Sequence, residues 1–339
     1  MMLAFRFLRR RSPLQPAAMP HAAVSLTPVY SSVTSRSPVP YLIGTLLSLD
    51  DTRILFDCGW SESFDAESAL VPLRELAPSL DAVAISFGNI SRAGALPLLF
   101  RAAEAGGAGC AATAYMTPPV NRFAFLTLID AHRAHAGEEP GWEAGAFSVA
   151  DVAAAFAFRA EGGPVAQVRF LEESSLRSGV SLTAFAAGVA LGGALWRVVK
   201  GVESVVFAPA LHHRREGVLP KAMLASPLLR APSVLVVDGG FAGSSLLTDG
   251  VGGDAAVAAA WALPSASAPP GGAAPRPRDA WELALVETCV RTLQRGGSVL
   301  LPCDTAGRSL EVLFRLDQEY GTKYPWPIFF LGHAASEVS

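Results

Sequence analysis

Residues 86–97 read SFGNISRAGALP, between the apolar runs Ala82-Val83-Ala84-Ile85 and Leu98-Leu99-Phe100. A Gly/Asn/Ser-rich loop opening at the end of a buried strand is where α/β proteins usually keep their chemistry. Yet this loop holds no His, Asp, Glu or Cys. The reactive residue types lie elsewhere and apart. Asp57 follows the apolar Ile54-Leu55-Phe56 in ILFDCGW (54–60), Asp238 closes PSVLVVD (232–238), and His212-His213-Arg214-Arg215 is the only internal basic run. Asp57 is expected to bond backbone N–H groups in a turn, Asp238-Gly239-Gly240 to form a turn, and Asp304-Thr305 to cap a helix. Adjacent histidines on extended chain point to opposite faces, so joint metal ligation by His212 and His213 is not expected, and a solvated basic edge is. His132 and His135 are read as solvated. Cys58, Cys110, Cys289 and Cys303 never form CxxC, which argues against a structural zinc site by spacing and against a disulfide framework. A reducing compartment follows.

The elements that must position these residues alternate along the chain. Short strands are expected at 24–30 and 41–48, then ILFDCGW runs from strand into turn, followed by a helix over 66–78. A buried strand at 81–87 leads through the loop into a helix over 94–107 ending in Gly106-Gly107. FSVADVAAAFAF (147–158) reads as a helix capped by Ser148. Strands recur at 166–170, 180–186, 194–200, 204–208 and 232–240, pointing to a sheet covered by helices. After an Ala/Gly/Pro/Ser-rich insertion at 250–279, expected to be disordered, come a helix at 280–294, a strand at 298–303, a helix at 308–320 and a strand-like IFFLG at 328–332. A sheet ending there would be open, which reads as a truncated chain.

With 339 residues, 51% of them hydrophobic and 17% charged, the chain can bury a large core, and its length suggests two domains. The net charge of −3 gives no overall attraction for nucleic acid. The Arg-rich start has the composition of a transit peptide, but is read as a disordered extension over 1–21, with Met19 as an alternative initiator. The uncharged stretch 178–196 is long enough to cross a bilayer, but its glycines suit two strands around a turn better.

Several pieces in one order carry a resemblance: FDCGW (56–60), the 86–97 loop with its GALP, FAAGVALGGALWRVVK (185–200), VVFAPALHHRRE (205–216), PSVLVVD (232–238) and DTAGRSLEVLFRLDQ (304–318). Together they resemble the metallo-β-lactamase-fold nucleases of the β-CASP group, above all the non-catalytic members that act in pre-mRNA 3′-end processing. The likeness covers about 22 to 332, leaving 243–279 unmatched. It implies an α/β protein of metallo-β-lactamase fold (αββα sandwich) with the first part of a β-CASP insert domain: a lactamase-like domain at 22–222 and a partial β-CASP domain at 223–339.

Active members of that group carry HxHxDH before the GALP-like helix start, a further histidine within AGH, and an acid bridging two metals. Aligned on Gly94-Ala95-Leu96-Pro97, the first four places fall on Phe87, Asn89, Ser91 and Arg92. The others fall on Val189 and Ala210. The resemblance therefore implies no catalytic residue, no bound metal and no cofactor. Zinc needs imidazole nitrogen or carboxylate oxygen at about 2.0–2.2 Å. Phe87, Val189 and Ala210 offer no side-chain lone pairs, Asn89 and Ser91 are weak neutral donors, and Arg92 is a permanent cation. Without metal no bound water has its pKa lowered toward neutrality.

Further expectations come with the likeness: a nuclear protein, partnered by the endonuclease subunit of the same factor, a symplekin-like scaffold and other polyadenylation factor subunits, near pre-mRNA and with no membrane. Arg92, Arg308, Arg214 and Arg215 are candidate RNA contacts, with a buried ion pair as the alternative for Arg92 and Arg308. Two rival readings stay open: a metal-dependent RNA hydrolase with displaced ligands, and the inactive β-CASP subunit of the Integrator complex.

Overall fold

The computed structural model describes residues 2–6, 22–34, 37–60, 73–105, 112–138, 147–213, 215, 219–238, 277–303, 309–320, 323–324 and 326–332. It divides into two compact units. The first comprises Met1–Asp238 with Thr305–Gly307 and Phe330–Ser339, the second Gly239–Asp304 with Arg308–Phe329.

The first unit is built on two six-stranded sheets. One runs β2 (Val24–Thr34), β3 (Ser37–Leu49), β4 (Thr52–Phe56), β5 (Ala82–Ala84), β6 (Thr113–Met116) and β7 (Val165–Gln167) in spatial order. The other runs β1 (Met2–Arg6), β12 (Val234–Asp238), β11 (Glu203–Ala208), β10 (Ala194–Lys200), β9 (Val180–Ala186) and β8 (Glu173–Ser175). From β4 to β7 the strands are parallel, which requires crossovers. The crossovers carry helices α1 (Ile90–Ala93), α2 (Leu96–Ala105), α3 (Pro118–Glu138) and α4 (Val149–Ala155).

Strand periodicity sorts the apolar side chains into layers. On β4, Ile54 and Phe56 face the second sheet while Leu55 faces the helices; on β5, Ala82 and Ala84 face the sheet while Val83 faces the helices. The near-continuous apolar runs of these strands thus reflect burial on both faces. Between the sheets, Phe56 and Phe207 stack with ring centroids 4.4 Å apart, and Trp196 is fully buried. On the helical side, Leu96, Leu99, Val120, Leu128, Val152 and Phe156 close over Leu55, Val83 and Ile85. The capping box expected at Ser148 is complete: Ser148 accepts from the Asp151 N–H at 3.1 Å and donates its own N–H to Asp151 at 2.8 Å.

Residues 178–196 form β9, a glycine turn and the start of β10. Among the described residues, no helix is long and apolar enough to cross a membrane. Several expectations need correction. Met2–Arg6 pair with Val234–Asp238 as an edge strand, where disorder was expected over 1–21; residues 7–21 lie outside the description. The first compact unit runs to Asp238, where β12 bonds in parallel to β11. Asp238 ends β12, as its place at the end of PSVLVVD suggested, and Gly239-Gly240, expected to complete a turn, lie outside the description. The helix expected over 94–107 is α2, Leu96–Ala105, preceded by the short α1 that the sequence did not suggest; Gly106-Gly107 lie outside the description. Of 66–78, residues 73–76 are helical and Ala77–Ser79 form a 3-10 turn, while 61–72 lie outside the description. His132 is buried on α3, not solvated.

In the second unit α5 (Pro277–Gln294) and α6 (Ser309–Tyr320) are described, with a small core around Cys289 and Leu316 and Tyr324 stacked on Trp326. Residues 298–303 are not a strand, and neither are 328–332. The insertion at 250–276, Cys110, Arg214 and residues 304–308, including Asp304 and Arg308, lie outside the described residues.

Candidate functional site

The site is assembled where β4 and β5 end. Asp57 follows β4 with φ of 57°, a left-handed conformation that turns its carboxylate back over the strand ends. Its N–H donates to Ala84 O at 3.0 Å, which ties it to β5. Its Oδ1 accepts the Ser86 N–H at 2.8 Å, and its Oδ2 lies 3.3 Å from Arg92 Nη1. The Asp57 side chain is 1% exposed and that of Arg92 13%. A backbone zipper reinforces the pair. Cys58 N–H donates to Arg92 O at 2.8 Å, Trp60 N–H to Ile90 O at 2.9 Å, and Ala95 N–H to Cys58 O at 2.9 Å. Residues 57–60 and 90–95 are therefore one rigid clamp with the ion pair at its centre.

Two forces act on the Asp57 carboxyl. Burial disfavours its charge, while the Arg92 guanidinium and the Ser86 N–H favour it; burial wins, and the group is pushed up to about 6. Between about pH 4 and about pH 6 the folded chain keeps a proton that the unfolded chain releases. This group's contribution to stability is thus full below its unfolded value of 3.8 and falls as pH rises through about 6. The Asp57→Asn variant should gain on the parent chain as pH rises from about 4 to about 7. Paired urea midpoints at several pH values measure this, and a difference that stays constant with pH would refute it.

The remaining positions divide into two groups. Phe87, Val189 and Ala210 come together in one apolar cluster with Phe185, Leu195 and Val206. Phe87 lies so close against Gly193 that a Cβ there would sit 2.5 Å from its Cε1. Asn89 occupies the N-cap position of α1 by its dihedrals, but its side chain makes no capping bond, and its buried Oδ1 has no partner among the described residues. Ser91 is exposed.

Arg92, a candidate RNA contact from the sequence, forms the ion pair with Asp57 that was its alternative. Arg215 is exposed. The His212 and His213 rings do not diverge: their centroids are 5.8 Å apart, because 211–213 is irregular and the strand alternation rule does not apply. No group of three or more His, Cys, Asp or Glu able to hold a metal occurs among the described residues. Sequence reasoning expected Asp57 to bond backbone N–H groups, and Ser86 bears that out; it did not join Asp57 to Arg92, which lies 35 positions away with no periodic signal linking them.

The model of the metallo-β-lactamase superfamily domain matches residues 46–236, from β3 through β12 and across the whole site. The chain belongs to this superfamily. Among curated relatives of this superfamily member, it is 30% identical over 320 residues to cleavage and polyadenylation specificity factor subunit 2 of Arabidopsis thaliana, covering 93% of the chain and 36% of the relative. The same identity and coverage hold for the protein of that name from Oryza sativa subsp. japonica. The probable cleavage and polyadenylation specificity factor subunit 2 of Drosophila melanogaster is 30% identical over 297 residues, covering 86% of the chain and 33% of the relative. The chain spans about a third of the length of these relatives.

The superfamily implies a metal site, and the side chains of Phe87, Val189 and Ala210 offer no donor atoms to one. A dication beside Phe87, Val189 and Ala210 would face hydrocarbon, losing hydration without gaining ligands. The carboxylate at the strand end is already neutralised by a guanidinium, which cannot give up its proton to make room for a metal.

Proposed function

We propose that this chain is the metallo-β-lactamase-fold part, with the beginning of the β-CASP part, of a non-catalytic subunit of the cleavage and polyadenylation specificity factor. It acts in the nucleus, in pre-mRNA 3′-end processing, as a scaffold for the endonuclease subunit. A symplekin-like scaffold and the other polyadenylation factor subunits complete its partners, and pre-mRNA reaches it through them. The names of the curated relatives support the complex. One observation supports the silent site: Phe87, Val189 and Ala210, which the family resemblance aligns with metal ligands, form one apolar cluster, and Arg92 pairs with Asp57.

The purified chain should carry well under one equivalent of zinc by elemental analysis after growth in zinc-supplemented medium, and should leave single-stranded RNA uncut. A two-metal hydrolase would show about two equivalents together with cleavage. That outcome would select the rival reading with displaced ligands. Co-purification with polyadenylation factors rather than Integrator subunits separates the two complexes.

A further inference from the structure

Around the apolar cluster the chain exposes leucines instead of covering them. Val189, Ala190, Ala210, Met223 and Leu229 are partly buried against the cluster. Their immediate chain neighbours face out: Leu191 at 47% exposure, Leu211 at 38%, Leu224 at 44% and Leu228 at 50%. Backbone bonds hold these segments together. His212 N–H donates to Ala187 O at 2.8 Å, Ala222 N–H to His212 O at 2.8 Å, and Met223 N–H to Ala186 O at 3.0 Å. Isolated surface leucines are ordinary, but four on the rim of one cluster, on interlocked loops, form a patch of the kind that marks an interaction site.

The charge beside the patch has one dominant sign. Segment 209–233 carries Arg214, Arg215, Lys221 and Arg230 against a single acid, Glu216. Arg215, Lys221 and Arg230 are exposed. Neither 187–193 nor 209–233 contains a Phe, Tyr or Trp. Single-stranded RNA binds on aromatic platforms against which its bases stack; the rings in these segments are those of His212 and His213, while the exposed leucines of the rim supply none. Leucines flanked by cations instead fit a peptide with an apolar face and acidic flanks.

We infer that the mouth of the degenerate site is a protein-docking surface, formed by Leu191, Leu211, Leu224 and Leu228 with Arg215, Lys221 and Arg230, and that its occupant is an acidic amphipathic segment of a partner subunit. This rests on the non-catalytic reading of the site: once no substrate must enter there, the rim is free to be apolar.

The test uses the full chain and three labelled probes in fluorescence anisotropy: a Leu/Glu amphipathic peptide, a Leu/Lys peptide with the same apolar pattern, and an oligouridylate. The Leu/Glu peptide should bind, and more weakly as salt rises. Its affinity should fall about tenfold or more in Leu191→Ser/Leu228→Ser and again in Lys221→Glu/Arg230→Glu. Melting curves should be unchanged in both variants, since the altered side chains are solvent-facing. Absence of Leu/Glu binding, equal binding of the Leu/Lys peptide, or indifference to both variants would overturn the docking surface. So would oligouridylate binding lost in the same variants while the Leu/Glu peptide fails to bind, because the patch would then be an RNA site. Metal content and RNA cleavage are measured separately. A chain that is metal-free and inert yet ignores the peptide sinks this inference and leaves the non-catalytic reading standing.

Discussion

Replacing Arg92 with methionine should destabilise the first unit by about 3 kcal/mol at neutral pH. The change strands a carboxylate that is 1% exposed and already pushed up to about 6 by burial. Breaking one side of a buried pair leaves a charge without water or partner, and costs more than the pair contributes over an apolar replacement. The figure sits at the low end of the usual range because the Arg92 side chain keeps 13% exposure. The loss should shrink as pH falls below about 6, where Asp57 takes up a proton and no longer needs the cation. The double variant Asp57→Asn/Arg92→Met removes both charges and should recover much of the stability. Urea unfolding of the parent, both single variants and the double variant forms a closed cycle. Additive losses would mean that the two side chains do not interact, and would remove the pair from its central place in the site.

Gly188→Ala should cost about 3 kcal/mol or more, from two sources. At φ of +74° an alanine pays the left-handed penalty, about 1–2 kcal/mol. Its Cβ would also stand 2.6 Å from both Ala222 N and His212 O, backbone atoms that cannot swing aside. Relief would require parting the loops that His212 N–H and Ala222 N–H hold together. Gly201 is the control: its φ is +58° but nothing lies within 4 Å of its would-be Cβ, so Gly201→Ala should cost only the conformational part. Thermal melts that rank the two variants equally would show that the loops at 187–193 and 211–222 are not interlocked as described.

Much of the architecture was legible because the chain states it locally. β9 and β10 occupy the expected 180–186 and 194–200, since glycines bound two β-rich runs. The Ser148 cap was visible because its partner Asp151 is three residues away. α3 was legible only as a polar helix or loop around His132 and His135: Pro118–Glu138 opens with two prolines and carries Asn, Thr and His among its apolar residues, so no clean stripe stands out. The opposite error fell on 298–303 and 328–332, which have strand composition but no sheet in the described structure. Strand propensity describes a fit to a sheet surface and cannot create one. At the site, the loop and its lack of ligands could be read directly. The grouping of Phe87, Val189 and Ala210 required the resemblance, because more than a hundred positions separate the first from the last in the sequence. The leucine rim gave no signal, since Leu191, Leu211, Leu224 and Leu228 lie in turns and irregular segments, where no strand or helix period sorts outward from inward.

Among the described residues, the layering of the first unit equips it with two optical reporters. Trp60 lies in the helix-side layer and Trp196 between the sheets, at 2% and 0% exposure. Their emission samples different interfaces of one body. In chains retaining a single indole at either place, fluorescence during denaturation would register the helical cover and the sandwich interior independently. Superimposable transitions would identify one cooperative block, and separated ones a cover that peels away first.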